Sequence, residues 1–301
     1  MTRGRRIASF RVCSPGRGTM GGLFHTGLLG LPLLATWIGC ALAEPATFPE
    51  PMERLRQGSD ETYADLVRLV VPGITVDAGR YSGGRTIAVR DIGGKDPDGL
   101  EPASTEFIRV AAIPVRSGGP NRTALLLDFG MGQDVVGYAI LALFDVTDGP
   151  RLLDAANVAF GDHTIFLDPV RLPVGAGADL LMTQSTHSNS SQGYTTTALI
   201  LARDDRFELV DTIFAFSERA CAYERTQQID VRQDVGERPA DISASVTETI
   251  ADTGERCDGV TAPEPGTRTI TVTYRWDAAA DRYMPDSDAF EVLARENEER
   301  F

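Results

Sequence analysis

The sequence predicts a mainly β protein of antiparallel meander sheets in a propeller-like or sandwich arrangement, with a short N-terminal helix and a C-terminal helix. Three observations predict this fold class: strict alternation of apolar and polar residues in two late segments, a series of short apolar runs between turn residues, and helical spacing in only two segments. The 301 residues are 42% hydrophobic, which is enough apolar material for a sizeable core.

Residues 1–43 have the composition of a secretory signal peptide. They contain five arginines and no acidic residue, and an apolar run extends from Leu28 to Leu42. Ala41-Leu42-Ala43 is a small-x-small cleavage pattern, so we expect cleavage near Ala43 and a secreted or periplasmic protein. Three alternatives stay open: an uncleaved membrane anchor, a twin-arginine signal at Arg5-Arg6, and a lipoprotein anchored through Cys40.

The net charge excludes one class of partner. It is -14 for the whole chain, and removing residues 1–43 with their five arginines changes it to -19. A strongly acidic surface repels phosphate backbones, so no nucleic-acid partner is expected.

Cleavage also leaves one cysteine pair, Cys221 and Cys257, of the four cysteines. In an exported protein, two remaining cysteines most simply form a disulfide bond. The alternative, a metal site with two thiolates, lacks further ligands near either cysteine.

The two helical segments lie at the ends of the predicted domain. Apolar residues recur at helical spacing in 63–70, where Ser59 or Asp60 is expected to cap the helix and Pro72-Gly73 to end it. The second helix is predicted from Ser287 to about Glu299, with the narrow apolar face Phe290, Leu293 and Ala294. We divide the chain into a signal peptide (1–43), a linker (44–58) and a single β-rich domain (59–301).

The clearest strands are 269–276 and 242–250, where apolar and Ser/Thr residues alternate. We expect these two strands to pair antiparallel around the loop that carries Cys257. Short turns at Asp148-Gly149-Pro150 and Asp204-Asp205 indicate that sequence neighbours are also sheet neighbours. Further strands are predicted at 86–92, 107–115, 123–129, 138–146, 152–160, 179–183, 195–202 and 207–216.

An internal repeat is one interpretation of these runs. Residues 123–160 and 179–216 share leucine-rich, Gly-Tyr and hydrophobic-Asp positions at a spacing of 55 to 57 residues, and 270–283 contains a degenerate third copy. This period is typical of propeller blades or stacked meanders. The alternative is that neighbouring hairpins look alike without being repeats.

One stretch resembles a known repeat. Gly177-Ala178-Asp179-Leu180-Leu181, followed by Arg206-Phe207, resembles the FG-GAP type of extracellular propeller repeat over less than a quarter of the chain. The Asp-x-Asp-x-Asp-Gly calcium loop of that family is missing from this sequence. Neither calcium binding nor adhesion therefore follows, and we assign no family.

The candidate ligand-binding residues lie in the stretch 185–194, which has almost no aliphatic content between two apolar strands. His187, Asn189, Gln192 and Tyr194 offer imidazole, amide and phenol groups, a mixture that recognises a glycan or a peptide by hydrogen bonds and stacking. The alternative is a long hairpin in which Asn, Ser and Gly only meet the demands of the turn.

We predict no catalytic residues, metal or cofactor. Asp162, His163 and Asp168, brought beside His187 by strand pairing, are the only arrangement that suggests a divalent metal site, and the sequence has no zinc-type spacing. Ser185 precedes His187 by two residues, but no Gly-x-Ser-x-Gly elbow exists. The sequence thus predicts an exported, non-catalytic binding or envelope-associated module; the alternative is an extracellular hydrolase acting on a polymer.

Overall fold

The computed structural model describes residues 45–94, 107, 109–131, 137–234, 239–256, 258–259 and 261–300. The predicted signal peptide, Cys40 and Cys257 lie outside the described residues. Within the described part of the chain, no helix has the length and apolar character needed to span a membrane.

The predicted fold class is confirmed, because the described chain consists mainly of antiparallel strands with one helix near each end. In chain order the elements are α1 (Tyr63–Val70), β1 (Thr75–Asp77), β2 (Arg80–Ser82), β3 (Arg90–Asp91), β4 (Arg109–Ser117), β5 (Gly119–Met131), β6 (Gly137–Asp145), β7 (Arg151–Asn157), β8 (His163–Pro173), β9 (Asp179–Ser188), β10 (Gln192–Arg203), β11 (Arg206–Arg219), β12 (Tyr223–Gln233), β13 (Ile242–Asp252), β14 (Gly266–Asp277), β15 (Arg282–Pro285) and α2 (Ala289–Glu298).

The first large sheet has the strand order β3-β7-β6-β5-β4, in which β4 to β7 form an antiparallel meander and the short β3 pairs parallel with β7. Strand β6 is buried from Gly137 to Phe144 because both faces of this sheet are covered. Helix α1 packs on one face through Leu66, Val67 and Val70. An uninterrupted apolar sequence is typical of a strand buried on both faces.

The second large sheet has eight antiparallel strands in sequence order, β8 to β15. Strands β11 and β12 pair only at Glu218↔Arg225 and Arg219↔Glu224, so the sheet divides into two four-stranded meanders that face each other. The described chain therefore contains three meanders, β4–β7, β8–β11 and β12–β15, stacked face to face like the layers of a sandwich.

Two apolar cores separate the three meanders. The first lies between the five-stranded sheet and β8–β11, and includes Leu126, Leu141, Leu181, Ile200 and Phe207. The second lies between β8–β11 and β12–β15 with α2, and includes Met182, Leu201, Val246, Tyr274 and Leu293.

The predicted pairing of 242–250 with 269–276 is confirmed, with Val246 opposite Ile270 in β13 and β14. The predicted turn Asp204-Asp205 joins β10 to β11, and both residues have positive φ (51° and 61°), as a tight two-residue hairpin requires. The range 179–216 covers β9 and β10 and most of β11. The range 123–160 covers most of β5 and all of β6 and β7, so each predicted repeat unit contains three consecutive strands.

Three local predictions are wrong. Helix α1 is capped by Thr62, whose N–H and hydroxyl both donate to the Asp65 carboxylate, and not by Ser59 or Asp60. The strand predicted at 86–92 is reduced to β3, because only its end reaches a partner strand. The predicted apolar face of the second helix continues to the buried Asn297, whereas Ala294 is only partly buried.

The segment 45–58 lies against the domain. Thr47 exchanges two backbone hydrogen bonds of 2.9 Å with Ala112 and so extends the edge of β4. Pro49 and Pro51 are buried, and Arg54 forms a bridge with Thr62. These contacts place the chain that follows the predicted signal peptide on the edge of the first meander.

Candidate functional site

His187 and Tyr194 form a stacked pair at the end of the β9–β10 hairpin. The two residues are directly opposite in the antiparallel register, so their side chains emerge on the same face of the sheet. Their ring centroids lie 4.8 Å apart with an interplanar angle of 27°. The structure therefore joins two of the four predicted ligand-binding residues in one aromatic surface.

Phe214 on β11 extends this surface. Its ring centroid lies 5.4 Å from that of Tyr194, at an interplanar angle of 45°. We call the three rings of His187, Tyr194 and Phe214 the aromatic platform. All three residues are partly exposed, so the rings remain accessible on a rigid sheet.

The Asp162 carboxylate fixes the His187 ring. Nδ1 of His187 lies 2.8 Å from Oδ1 of Asp162, and both side chains are mostly buried. When the carboxylate is ionised, Nδ1 carries the proton and Nε2 presents a lone pair. Among the described residues Nε2 has no hydrogen-bond partner, so it is the atom of the imidazole that a ligand can reach.

A glycine allows Asp162 to approach the strand. A Cβ on Gly161 would lie 2.9 Å from the backbone oxygen of Thr186, closer than real side chains come. The backbone N–H of Asp162 donates to the same oxygen at 2.8 Å. The loop before β8 can therefore lie directly against β9, and this places the carboxylate beside the imidazole.

The surroundings of Tyr194 favour the neutral, protonated form of its phenol. Burial raises the pKa of Tyr194, and the nearby negative charge of Asp162 raises it further. The phenol therefore keeps its proton throughout the physiological range and can donate a hydrogen bond.

The other two predicted ligand-binding residues, Asn189 and Gln192, form the hairpin turn. Asn189 Oδ1 accepts hydrogen bonds from the backbone N–H groups of Ser191 (3.0 Å) and Gln192 (2.9 Å). The Asn189 amide also donates to Gln192 Oε1 at 3.2 Å. All of these bonds close the turn, and none of them reaches the aromatic platform.

Ser185 is engaged elsewhere. It is buried, its Oγ accepts the backbone N–H of Phe160 at 3.0 Å, and it lies 2.9 Å from the hydroxyl of Thr164. These bonds hold the loop before β8 against β9, so the hydroxyl has a structural role.

The histidines pair with different carboxylates. His163 Nδ1 lies 3.6 Å from Oδ2 of the buried Asp128, away from the Asp162–His187 pair. Burial raises the pKa of Asp128, an effect opposed by its hydrogen bond from the Gly130 backbone. Within the described ranges, no group of three or more His, Cys, Asp or Glu side chains is arranged to hold a metal ion.

Comparisons with known proteins found no matching family model, no similar curated protein and no similar solved structure.

The sequence does not predict the role of two residues of this site. It indicates Asp162 only as a candidate metal ligand and Phe214 only as part of a strand. Two features of the sequence accompany these residues: Gly161 precedes Asp162, and Phe214 alternates with Phe216. Neither feature indicates a shared site until the strand register is known.

Proposed function

We propose that this protein is an exported, non-catalytic binding module that recognises a glycan or a peptide segment on the aromatic platform. The observation that carries the proposal is the Asp162–His187–Tyr194 arrangement: an imidazole held between a carboxylate and a phenol ring. The acidic chain with its predicted signal peptide supports an extracytoplasmic location.

The chemistry of the platform suits such ligands. Partly exposed aromatic rings on a sheet stack against the C–H face of a sugar or against a peptide bond. Nε2 of His187 adds directional hydrogen bonding at the edge of the stack. Since both rings are already fixed in the free protein, little conformational entropy is lost when a ligand binds.

The test is a glycan and peptide array screen followed by titration of the best ligand. We expect His187→Ala and Tyr194→Ala each to weaken binding at least tenfold, which corresponds to about 1.4 kcal/mol. Tyr194→Phe keeps the ring and should lose less than Tyr194→Ala.

Asn189→Ala is the matched control from the same hairpin. We expect it to lower thermal stability while it changes affinity less than threefold, because its bonds lie within the turn. Equal affinity of wild type and Tyr194→Ala for every ligand found would overturn the proposed site.

The second candidate function is hydrolysis of an extracellular polymer, which the Asp162–His187 pair favours. A histidine whose Nδ1 is held by a carboxylate has the arrangement of a general base. This hypothesis expects turnover that His187→Ala and Asp162→Asn both abolish. Binding without turnover supports the binding module; turnover that survives both substitutions rejects the platform as its catalytic site.

A further inference from the structure

A second pocket lies at the opposite end of the strands that carry the platform. It has a volume of about 530 Å³, within the range typical of small-molecule sites. Arg203 on its wall is nine residues beyond Tyr194 in β10, a separation of roughly 30 Å along a strand. Turns from all three meanders line it: the β4–β5 and β8–β9 turns, the β10–β11 turn and the β14–β15 turn.

The wall of the pocket is a guanidinium stacked on an indole. The Arg203 guanidinium carbon lies 4.7 Å from the ring centroid of Trp276, and its two terminal nitrogens donate to the two carboxylate oxygens of Asp281 at 2.8 and 2.9 Å. The Trp276 ring is held from another side by Tyr283, in an edge-to-face contact of 5.2 Å. These contacts fix the guanidinium and indole planes before any ligand arrives.

One donor on this wall is unused. Nε of Arg203 is buried and has no hydrogen-bond partner among the described residues; the nearest carboxylate oxygen, Oδ2 of Asp204, is 3.5 Å away. Because Nε has almost no solvent-accessible surface, a ligand oxygen can accept from it only after a local side-chain movement. Small residues also line the pocket: Gly175, Ala176, Gly177 and Ala178.

The charges at the pocket select the ligand class. Asp204 and Asp281 flank the guanidinium, so an anion would meet two carboxylates and a cation would meet Arg203. An uncharged ligand with several hydroxyl groups can accept from Nε, donate to the free carboxylate lone pairs and pack its C–H groups on an aromatic ring. We infer that the pocket around Arg203, Trp276 and Asp281 binds an uncharged saccharide.

The experiment titrates the full chain with glucose, galactose, mannose and their disaccharides, and with glucuronate and glucosamine as charged analogues. Tryptophan fluorescence reports on the pocket, and calorimetry gives the affinity. The only other tryptophan, Trp37, lies in the predicted signal peptide, and a Trp276→Phe variant assigns the signal. We expect at least one uncharged sugar to bind, and both charged analogues to bind at least tenfold more weakly.

Arg203→Lys is the decisive variant because it keeps the positive charge beside Asp281 but lacks Nε–H and the planar stack. We expect at least tenfold weaker binding in Arg203→Lys, measured well below its melting temperature so that lost stability does not affect the result, and unchanged binding in the exposed Glu264→Gln. The inference is overturned if no uncharged sugar binds at tens of millimolar, if glucuronate binds as tightly, or if Arg203→Lys retains full affinity.

Discussion

Glu248 shows how a single residue holds the third meander together. Its side chain is only 4% exposed and accepts hydrogen bonds from Arg268 Nε (2.8 Å), Gln227 Nε2 (2.7 Å) and an Arg225 terminal nitrogen (3.2 Å). Burial alone would raise the pKa of this carboxyl, but the donors from Gln227, Arg225 and Arg268 lower it on balance. The ionised form is therefore the one that the folded state favours.

We predict that Glu248→Gln lowers the free energy of unfolding by about 3 kcal/mol at pH 7, because it leaves the buried Arg225 with half of its counter-charge. A carboxyl whose folded pKa lies below its ordinary 4.5 stabilises the protein above that value, and the contribution is lost as pH falls through the folded pKa. The difference between wild type and variant should therefore narrow below about pH 4. Urea unfolding at pH 7, 5 and 3.5 measures it, with the exposed Glu264→Gln as control. A difference that stays constant with pH contradicts this account.

At the same scale, the aromatic platform was predictable only in part. The composition of 185–194 pointed to His187 and Tyr194, since few exposed turns combine an imidazole with a phenol. Phe214 depends on the irregularity in the β10–β11 pairing between Leu199 and Ile200, which shifts the register by one residue. A one-residue shift moves every side chain to the other face, and no local pattern reveals it.

At the scale of elements, the sequence predicts most of the long strands, but not β8 and β12, and it also does not predict the short β1 and β2. Strand β12 has few apolar residues, because its partly buried face uses Arg225 and Gln227 in the polar network around Glu248. Strand β8 contains Asp168-Pro169, and a proline inside a segment argues against a continuous strand. The pairing of β8 with β9 also shifts in register between Phe166 and Arg171. Both strands are stabilised by pairing with neighbouring strands and lack a regular alternation of apolar and polar residues. Hydrophobic periodicity therefore does not predict them.

Helix α2 closes the gap where β11 and β12 separate, and Asn297 is its polar anchor. The residue is fully buried; its amide donates to Gln227 Oε1 at 2.9 Å and to the Phe214 backbone oxygen at 3.3 Å, and its oxygen accepts from Gln227 Nε2 at 3.0 Å. We predict that Asn297→Ala costs about 1–3 kcal/mol of stability, since buried partners are left unpaired. Thermal unfolding beside the neighbouring Glu298→Ala measures the effect. Equal melting temperatures for the two variants would mean that the amide is dispensable.

Strand β6 begins at a glycine that has no room for a side chain. A Cβ on Gly137 would lie 1.8 Å from the backbone oxygen of Gly161, whereas a Cβ on Gly266, the first residue of β14, would meet nothing within 4 Å. We predict that Gly137→Ala destabilises the protein by about 3 kcal/mol through displacement of the backbone, and that Gly266→Ala changes stability by less than about 0.5 kcal/mol. Because Gly161 adjoins Asp162, Gly137→Ala should also weaken ligand binding at the platform. Similar denaturation midpoints for the two variants would contradict the close approach.

For the whole molecule, the connection between the second and third meanders has little strand pairing. Only two residue pairs join β11 to β12, and the rest of the attachment comes from the second core and α2. Cys221 lies in the β11–β12 connection, and the segment after β13 folds back over it: Thr253 N–H donates to the Ala222 backbone oxygen at 3.1 Å. Cys257 follows four residues later in the sequence, outside the described residues. The predicted disulfide would thus tie two connections of the third meander at a junction that has few strand hydrogen bonds.

We predict that reduction of this bond lowers the free energy of unfolding by about 4 kcal/mol, the value that the chain-entropy model gives for a 36-residue separation. Alkylation of the exported protein without reductant should leave its mass unchanged, whereas two labels should appear after reduction. Urea unfolding with and without reductant measures the loss, and the Cys221→Ser/Cys257→Ser variant, which has no bond to reduce, is the control. If α2 and the second core alone hold the junction, the wild type will unfold at the same urea concentration in both conditions. If the disulfide holds it, tryptophan fluorescence of Trp276 in the third meander will change at a lower urea concentration once the bond is reduced.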